Sequence, residues 1–279
     1  MKKLLFLTFA VFVFSGIQAQ KSDNKAMRKL IDENMDFAVE QYKFLSKNLP
    51  ANRAPKSYDA KTNKVITSDM QWWCSGFYSG TLWYLYENTR NSWVKAEAEK
   101  RLADLEQEKF NTSDHDLGFK MFCSFGNAFR ITHNALYKDV IFKSAASLAT
   151  RYRPAIKSIQ SWNSGEKLKC PVIIDNMMNL ELLEWSTLMG SDKKFKEIAQ
   201  NHANSTLSNH FRLNGSSFHV LDYDSSTGKI IKKVTWQGAA DSSAWARGQA
   251  WGLYGFIMMY RLEKNEAYFD QAKKMRLSF

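Results

Sequence analysis

The sequence holds little that would staple a chain or break its helices. Its 279 residues include 3 Cys, 4 Pro and 13 Gly, too few for a disulfide framework and too few to interrupt helices of ordinary length. Cys74, Cys123 and Cys170 are odd in number and sit among aromatic or apolar residues, so buried thiols are expected. No Gly-x-Ser-x-Gly elbow occurs, which disfavours a serine hydrolase of that design. The five histidines lack the close spacings of a zinc site, and phosphate-binding glycine loops are absent. No metal and no cofactor is implied. Dense Lys/Arg runs interleaved with aromatics are missing too, and no stretch after the N-terminal one approaches a membrane span. Neither nucleic acid nor a membrane is an expected partner.

What is present begins with an export signal. Lys2 and Lys3 precede an apolar core from Leu4 to Phe14, and small or neutral residues lead to a cut after Ala19. Residues 1–19 are therefore expected to be removed from a protein exported to the periplasm or beyond a bacterial cell. No cysteine stands at the cut, which argues against a lipid anchor. The formal charge of +11 falls to +9 when the two lysines leave with the signal. This excess is spread along outer helices, where a solvated face is the default and an anionic small substrate is permitted.

Aromatics are abundant, with 9 Trp, 11 Tyr and 19 Phe, enough for a large core. Asp23 to Asn48 has helical apolar spacing and ends at Pro50, and 51–69 reads as a polar loop. An alternation follows. Trp72 to Glu87 is apolar almost all round, as a buried helix is, whereas Ser92 to Phe110 carries charges on most of its surface. His115 to Ile131 and Ala135 to Tyr152 repeat the pair, the second with Leu136, Val140, Leu148 and Ala149 inward. Asp175 to Leu188 with Asp192 to Leu207, and Ser243 to Tyr260 with Asn265 to Arg276, repeat it again. Spacing between the buried helices is irregular, so this is no consensus solenoid; helical hairpins in a closed double ring explain both layers. One interlude, Ser216 to Val234, reads as a β-hairpin around Ser225-Ser226-Thr227-Gly228. Its Asp222 to Gly228 run imitates half a calcium loop, but the Gly is displaced and no closing Glu follows.

Candidate chemistry gathers at the starts of the buried helices. Asp175 is delivered by an apolar run, Pro171 to Ile174, to the point where a helix begins. It is either a helix cap or a poorly solvated carboxyl group able to donate a proton near neutral pH. Asp116, beside His115, has the same two readings. Arg247 either pairs with Asp241 or a helix end, or meets a negative ligand. Trp73 and Phe77, four apart, are either core or a sugar platform. Together these residues are what recognition and hydrolysis of an acidic carbohydrate need: acid/base groups, a partner for a carboxylate and flat faces for sugar rings.

Three segments carry a resemblance: HDLGF (His115 to Phe119), PVIIDNMMNLELLEWS (Pro171 to Ser186) and DSSAWARGQAWGLYG (Asp241 to Gly255). They resemble the signature segments of the unsaturated glucuronyl hydrolases, glycoside hydrolase family 88. The likeness implies an all-α fold, an (α/α)6 barrel of helical hairpins over residues 20–279 with a small β-hairpin insertion. Six hairpins need more chain than follows the Arg247 helix, so a C-terminally truncated barrel is expected. The implied activity is release of a 4,5-unsaturated uronic acid from short acidic oligosaccharides left by polysaccharide lyases. By motif, Asp175 resembles the acid/base that protonates C4, and Asp116 the second essential carboxylate, holding sugar hydroxyls. Trp73, Phe77, His115, His219, Arg247, Gln249 and Trp251 resemble substrate-binding residues, and Trp162 is a further candidate platform. Three other readings remain: a related unsaturated rhamnogalacturonyl hydrolase acting on pectin products, an inverting glycosidase using Asp116 and Asp175, and a carbohydrate-binding fragment without turnover.

Overall fold

The computed structural model describes residues 2–277, with side chains from residue 24 onward; Met1, Ser278, Phe279 and the side chains of residues 2–23, which include the expected signal segment 1–19, lie outside the described residues. A leading helix, α1 (Lys2–Lys47), is followed by helical hairpins. The first pairs α2 (Ser75–Thr89) with α3 (Ser92–Leu105). In the second, a π-helix (Gly118–Gly126) continues as α4 (Asn127–Thr132) and returns as α5 (Ala135–Ala149). The third begins as a 3₁₀ turn (Ile174–Met178), continues as α6 (Leu180–Leu188) and returns as α7 (Lys194–Asn209). The fourth is α8 (Ala246–Glu263) with α9 (Glu266–Leu277). The alternation of apolar and charged helices thus appears as read.

A local device repeats at the hairpin tips. Arg90, His133 and Lys264 each end an inner helix in the left-handed region, with φ near 56°. An asparagine follows each one. Asn91 accepts N–H bonds from Trp93 and Val94, Asn134 from Leu136, and Asn265 from Ala267, so each caps the returning helix. Gly190 (φ 96°) and Asp192, which accepts from Lys194 N–H, do the same for the third hairpin. The repeat was hidden because only one of the four left-handed residues is glycine.

One apolar core runs through all the hairpins, including Trp83, Val94, Leu102, Met121, Phe125, Ile141, Leu148, Leu183, Phe195, Phe256 and Met259. Three expectations need correction. Leu136 is 69% exposed, because the buried face of α5 starts a turn later at Val140 and Ile141. Glu97 and Arg101 on α3 are buried; Arg101 Nε bonds Glu97 Oε1 at 2.7 Å and its Nη1 reaches the Pro50 carbonyl. Residues 51–69 contain an antiparallel hairpin, β1 (Ala54–Asp59) and β2 (Lys64–Ser68). Its turn is held by Asp59, which accepts from Lys61 N–H and Thr62 Oγ1, and by Asn63 at φ 54°. Cys74, Cys123 and Cys170 are free thiols, of which Cys170 is fully buried and the others partly.

The interlude is a hairpin, but it is not an isolated insertion. After a short ribbon, β3 (Tyr152–Arg153) and β4 (Ser158–Ile159), the apolar run before Asp175 forms β5 (Pro171–Ile173). It pairs antiparallel with β6 (Val220–Tyr223), which pairs with β7 (Ile230–Val234). Asp222 and Asp224 spend carboxylate oxygens on backbone N–H groups, Asp222 on Lys169 and Cys170, and Asp224 on Ser226 and Thr227.

Close approach of the inner helices demands glycine. A Cβ on Gly76 would lie 1.9 Å from the Lys120 carbonyl oxygen, so α2 could not rest on the π-helix. Gly76→Ala should lower stability by roughly 1–3 kcal/mol in denaturant titration, although alanine is the better helix former. Gly165, with open space around it, should tolerate alanine with little change.

Candidate active site

Strand pairing brings the first two candidates together. Ile173 faces Val220 in the β5–β6 ladder, and the next N–H, of Ile174, donates to the His219 carbonyl at 3.1 Å. Asp175 and His219 therefore leave the sheet side by side, with His219 Nε2 3.8 Å from Asp175 Oδ1. This is not an ion pair. Burial pushes the imidazole down to about 4, so His219 is neutral at physiological pH. Its Nδ1 accepts from Trp236 and Gln237 N–H groups at 3.1 and 3.2 Å, which leaves the ring proton on Nε2, toward Asp175.

Asp175 lies inside the 3₁₀ turn. The cap residue is Ile173, which makes no side-chain cap bond, so capping does not explain the carboxylate. Asp175 is 9% exposed, and among the described residues its Oδ1 has no hydrogen-bond partner. Burial, with a contribution from the Asp116 charge, pushes the carboxyl group up to about 6, while His115 and Arg247 pull the other way. A group in this state is divided between acid and base near neutral pH.

Asp116 reaches the same place from another hairpin. His115 N–H donates to the Ser161 carbonyl, and Ser161 N–H to that of Pro171, which ties the His115 loop to the strand before Asp175. His115 is buried, its Nε2 3.3 Å from Asp116 Oδ1. Burial raises the proton affinity of Asp116, and Asp114 adds to this; His115, Lys120 and Arg151 oppose it.

The aromatics form a continuous wall. Trp73, Phe77 and Phe119 make edge contacts at 5.4–5.9 Å between ring centroids, and Phe119 meets Trp251 at 5.3 Å. Arg247, in the first turn of α8, lies 4.4 Å above Trp245 and 5.6 Å from Trp73, and its Nη2 donates to Gln237 Oε1. Asp241 instead accepts from Thr235 N–H. Trp162 leans on Trp236 at 6.2 Å and lies opposite Asp114 in a single β-bridge.

Comparison with known proteins bears on the family and the fold. No family model matches the chain. An unsaturated glucuronyl hydrolase of Formosa agariphila is 38% identical over 98% of the chain and 70% of its own length. The chain belongs to the unsaturated glucuronyl hydrolase family. An unsaturated chondroitin disaccharide hydrolase of Streptococcus pneumoniae is 32% identical over 90% of the chain and 61% of its own length. Among solved structures, an unsaturated glucuronyl hydrolase specific for heparin superposes with a TM-score of 0.83 at 36% identity, covering 88% of this chain and 66% of that one. The helical hairpin fold is thus the unsaturated glucuronyl hydrolase fold.

One candidate is displaced within this family member. Gln249 does not line the site: its Oε1 accepts from Ser217 N–H, and its Nε2 donates to the Gly215 and Met275 carbonyls. Two positions after Arg247 on a helix, it faces a different side. Trp245 stands in the Asp241 to Gly255 segment singled out by the sequence, with Trp236 and Gln237 just before it, but no individual role was expected of the three. Asn176 and Asn179, polar and fully buried beside Asp175, were missed. Asn176 Nδ2 donates to the Ile159 carbonyl, and Asn179 Oδ1 accepts from Phe119 N–H.

An acid whose folded pKa lies above its unfolded value of 3.8 costs stability once ionised. That cost is absent below the unfolded pKa and grows as pH rises through the folded value. Asp175→Asn should therefore raise the melting temperature at pH 7.5, by up to about 3 kcal/mol of stability, and leave it nearly unchanged at pH 3.5.

Proposed function

We propose that this chain carries the site that releases a 4,5-unsaturated uronic acid from lyase-derived acidic oligosaccharides, by hydrating the vinyl ether double bond. The observation that carries the reading is Asp175: a buried carboxyl group held up to about 6 beside a neutral His219 and facing a second carboxylate. Its family supports the substrate class, since relatives are named for unsaturated glucuronyl and chondroitin disaccharide substrates.

The chemistry asks for one proton and one water. Asp175 in its acid form gives its proton to C4, and positive charge builds at C5 and the ring oxygen. The resulting carboxylate takes a proton from water as its oxygen bonds to C5, which restores the acid. The C5 hemiketal then opens, the ring oxygen becomes a hydroxyl on C1, and C1 releases the neighbouring sugar as an alcohol. Water is the net reagent and no redox partner is needed. His219 Nε2–H would steady the Asp175 carboxylate, and Asp116 would accept bonds from sugar hydroxyls. Arg247, a guanidinium over Trp245 and Trp73, suits the uronate carboxylate. A saturated glycoside has no C4=C5 bond to accept this proton and would not react by this route.

We further propose export, on the signal-like pattern of residues 1–19. Mass spectrometry of protein recovered from the periplasm or medium should find Gln20 at the N-terminus.

Incubation with an unsaturated chondroitin or heparin disaccharide should abolish the ultraviolet absorbance of the C4=C5 bond. Asp175→Asn should slow this by about 10²–10⁴-fold. Because the acid form is required, kcat/KM should decline as pH rises above about 6. Undiminished absorbance with every disaccharide would sink the reading, as would an Asp175→Asn variant as fast as the parent.

A further inference from the structure

Behind Asp116 lies a charge cluster that the reaction does not touch. Lys120 is fully buried, and its ammonium meets three oxygens: Glu108 Oε2 at 3.0 Å, Asp114 Oδ2 at 3.1 Å and the Gln71 carbonyl at 3.2 Å. A lysine has three N–H donors, so the group is fully satisfied. Asn111 Nδ2 bridges the same two carboxylates at 2.8 and 3.0 Å. The other Asp114 oxygen accepts the Asp116 N–H at 2.8 Å, and the Asp116 carbonyl accepts the Lys120 N–H at 2.9 Å. Both backbone polar groups of Asp116 thus end on the Asp114–Lys120 pair.

Gln71 opens the loop that bears Trp73, so one ammonium joins the aromatic wall to the Asp116 loop. We propose that Lys120 is a positioning residue for this site: with Asp114 and Glu108 it locks the loop bearing His115 and Asp116 to the loop bearing Trp73. The proposal rests on the functional reading above for its link to turnover, but its geometry stands apart from it. Stability alone is a poor reason for such a cluster. Buried ion pairs are commonly no more stabilising than apolar packing of equal volume, because each charge gives up its hydration. What apolar packing cannot do is fix two loops through directed bonds while offsetting negative charge.

Lys120 also belongs to the electrostatics of Asp116. The charged and titratable groups acting on that carboxyl group are His115, Asp114, Lys120 and Arg151, and Asp116 in turn acts on Asp175 across the site. Lys120 favours the ionised form and Asp114 opposes it. Removing one or the other must therefore move Asp116 in opposite directions, which a purely structural role would not produce.

Two variants test this. Lys120→Met combined with Glu108→Gln removes the ammonium without stranding Glu108, and Asp114→Asn keeps an oxygen for the Asp116 N–H while removing the charge. Carbon-13 NMR of aspartate carboxyl groups, with the Asp116 resonance identified by its loss in Asp116→Asn, reads the titration without substrate. The double variant should titrate Asp116 higher by about half a pH unit or more, and Asp114→Asn lower. Both should melt cooperatively, and kcat for unsaturated disaccharide should fall at least about tenfold in the double variant with little change in KM. Lys120→Arg with Glu108 kept, which retains a cation at this position, should lose less kcat than the double variant. A folded pair of variants with Asp116 titration and kcat unmoved overturns the proposal. Should the double variant fail to fold, an unmoved titration in Asp114→Asn alone overturns it. An inactive parent protein would count against the functional reading only, since the titration is read without turnover.

Discussion

The pairing of β5 with β6 is the constraint on which the site depends. Three residue pairs and one further hydrogen bond, from Ile174 N–H to the His219 carbonyl, fix where the backbone releases Asp175 and where it releases His219. These residues are far apart in sequence and belong to separate hairpin connections, so helix packing alone could not align them to within a few ångströms. A one-residue slip would turn His219 to the opposite face of the strand. The sheet is buried at Val172, Val220 and Leu221, which specifies the register by hydrophobic contact.

Burial then does two jobs with opposite signs. It raises the Asp175 carboxyl group to about 6 and lowers the His219 and His210 imidazoles to about 4, so between these values an acid and two neutral histidines coexist. His210 is part of the same support, its Nε2 against the Val172 carbonyl of β5. A histidine with a depressed folded pKa loses stability for the protein as pH falls below its unfolded value. Under the proposed chemistry the acid side is therefore limited by the scaffold, and the alkaline side by the proton on Asp175. The working range is bounded by two different physical failures.

Much of this was legible in the sequence, for reasons visible residue by residue. Helix starts with a lone acid after an apolar run, as at Asp175, are uncommon enough to single out, and the alternation of apolar and charged helices follows from periodicity. Gln249 was misplaced because proximity to Arg247 along the chain says nothing about which side of a helix it faces. The β1–β2 hairpin was missed because both strands lie near the surface and their sequences, APKSYD and KVITS, carry a proline and mostly polar residues instead of an apolar alternation. The β5–β6 pairing was out of reach: Pro171-Val172-Ile173 is too short to show a period, and its partner lies in another connection. The Lys120 cluster was equally hidden, since a lysine in an apolar helix gives no sign of the three acceptors it will meet.

The two carboxylate-bearing segments are also joined directly, through Asn179. At the start of the π-helix the N–H of Phe119 has no partner of its own in the preceding turn, and Asn179 Oδ1 supplies it at 3.1 Å from the end of the Asp175 turn. Gly118 makes the contact possible, since a Cβ there would lie 2.6 Å from Asn179 Cα. The Asp175 segment therefore caps the helix that follows Asp116, while the Lys120 cluster holds Asp116 from behind. A shift in either segment would carry the other along or break a bond in a dry interior, where an unpaired donor costs about 1–3 kcal/mol. The separation between the two carboxyl groups is thereby set by directed hydrogen bonds instead of by apolar packing alone.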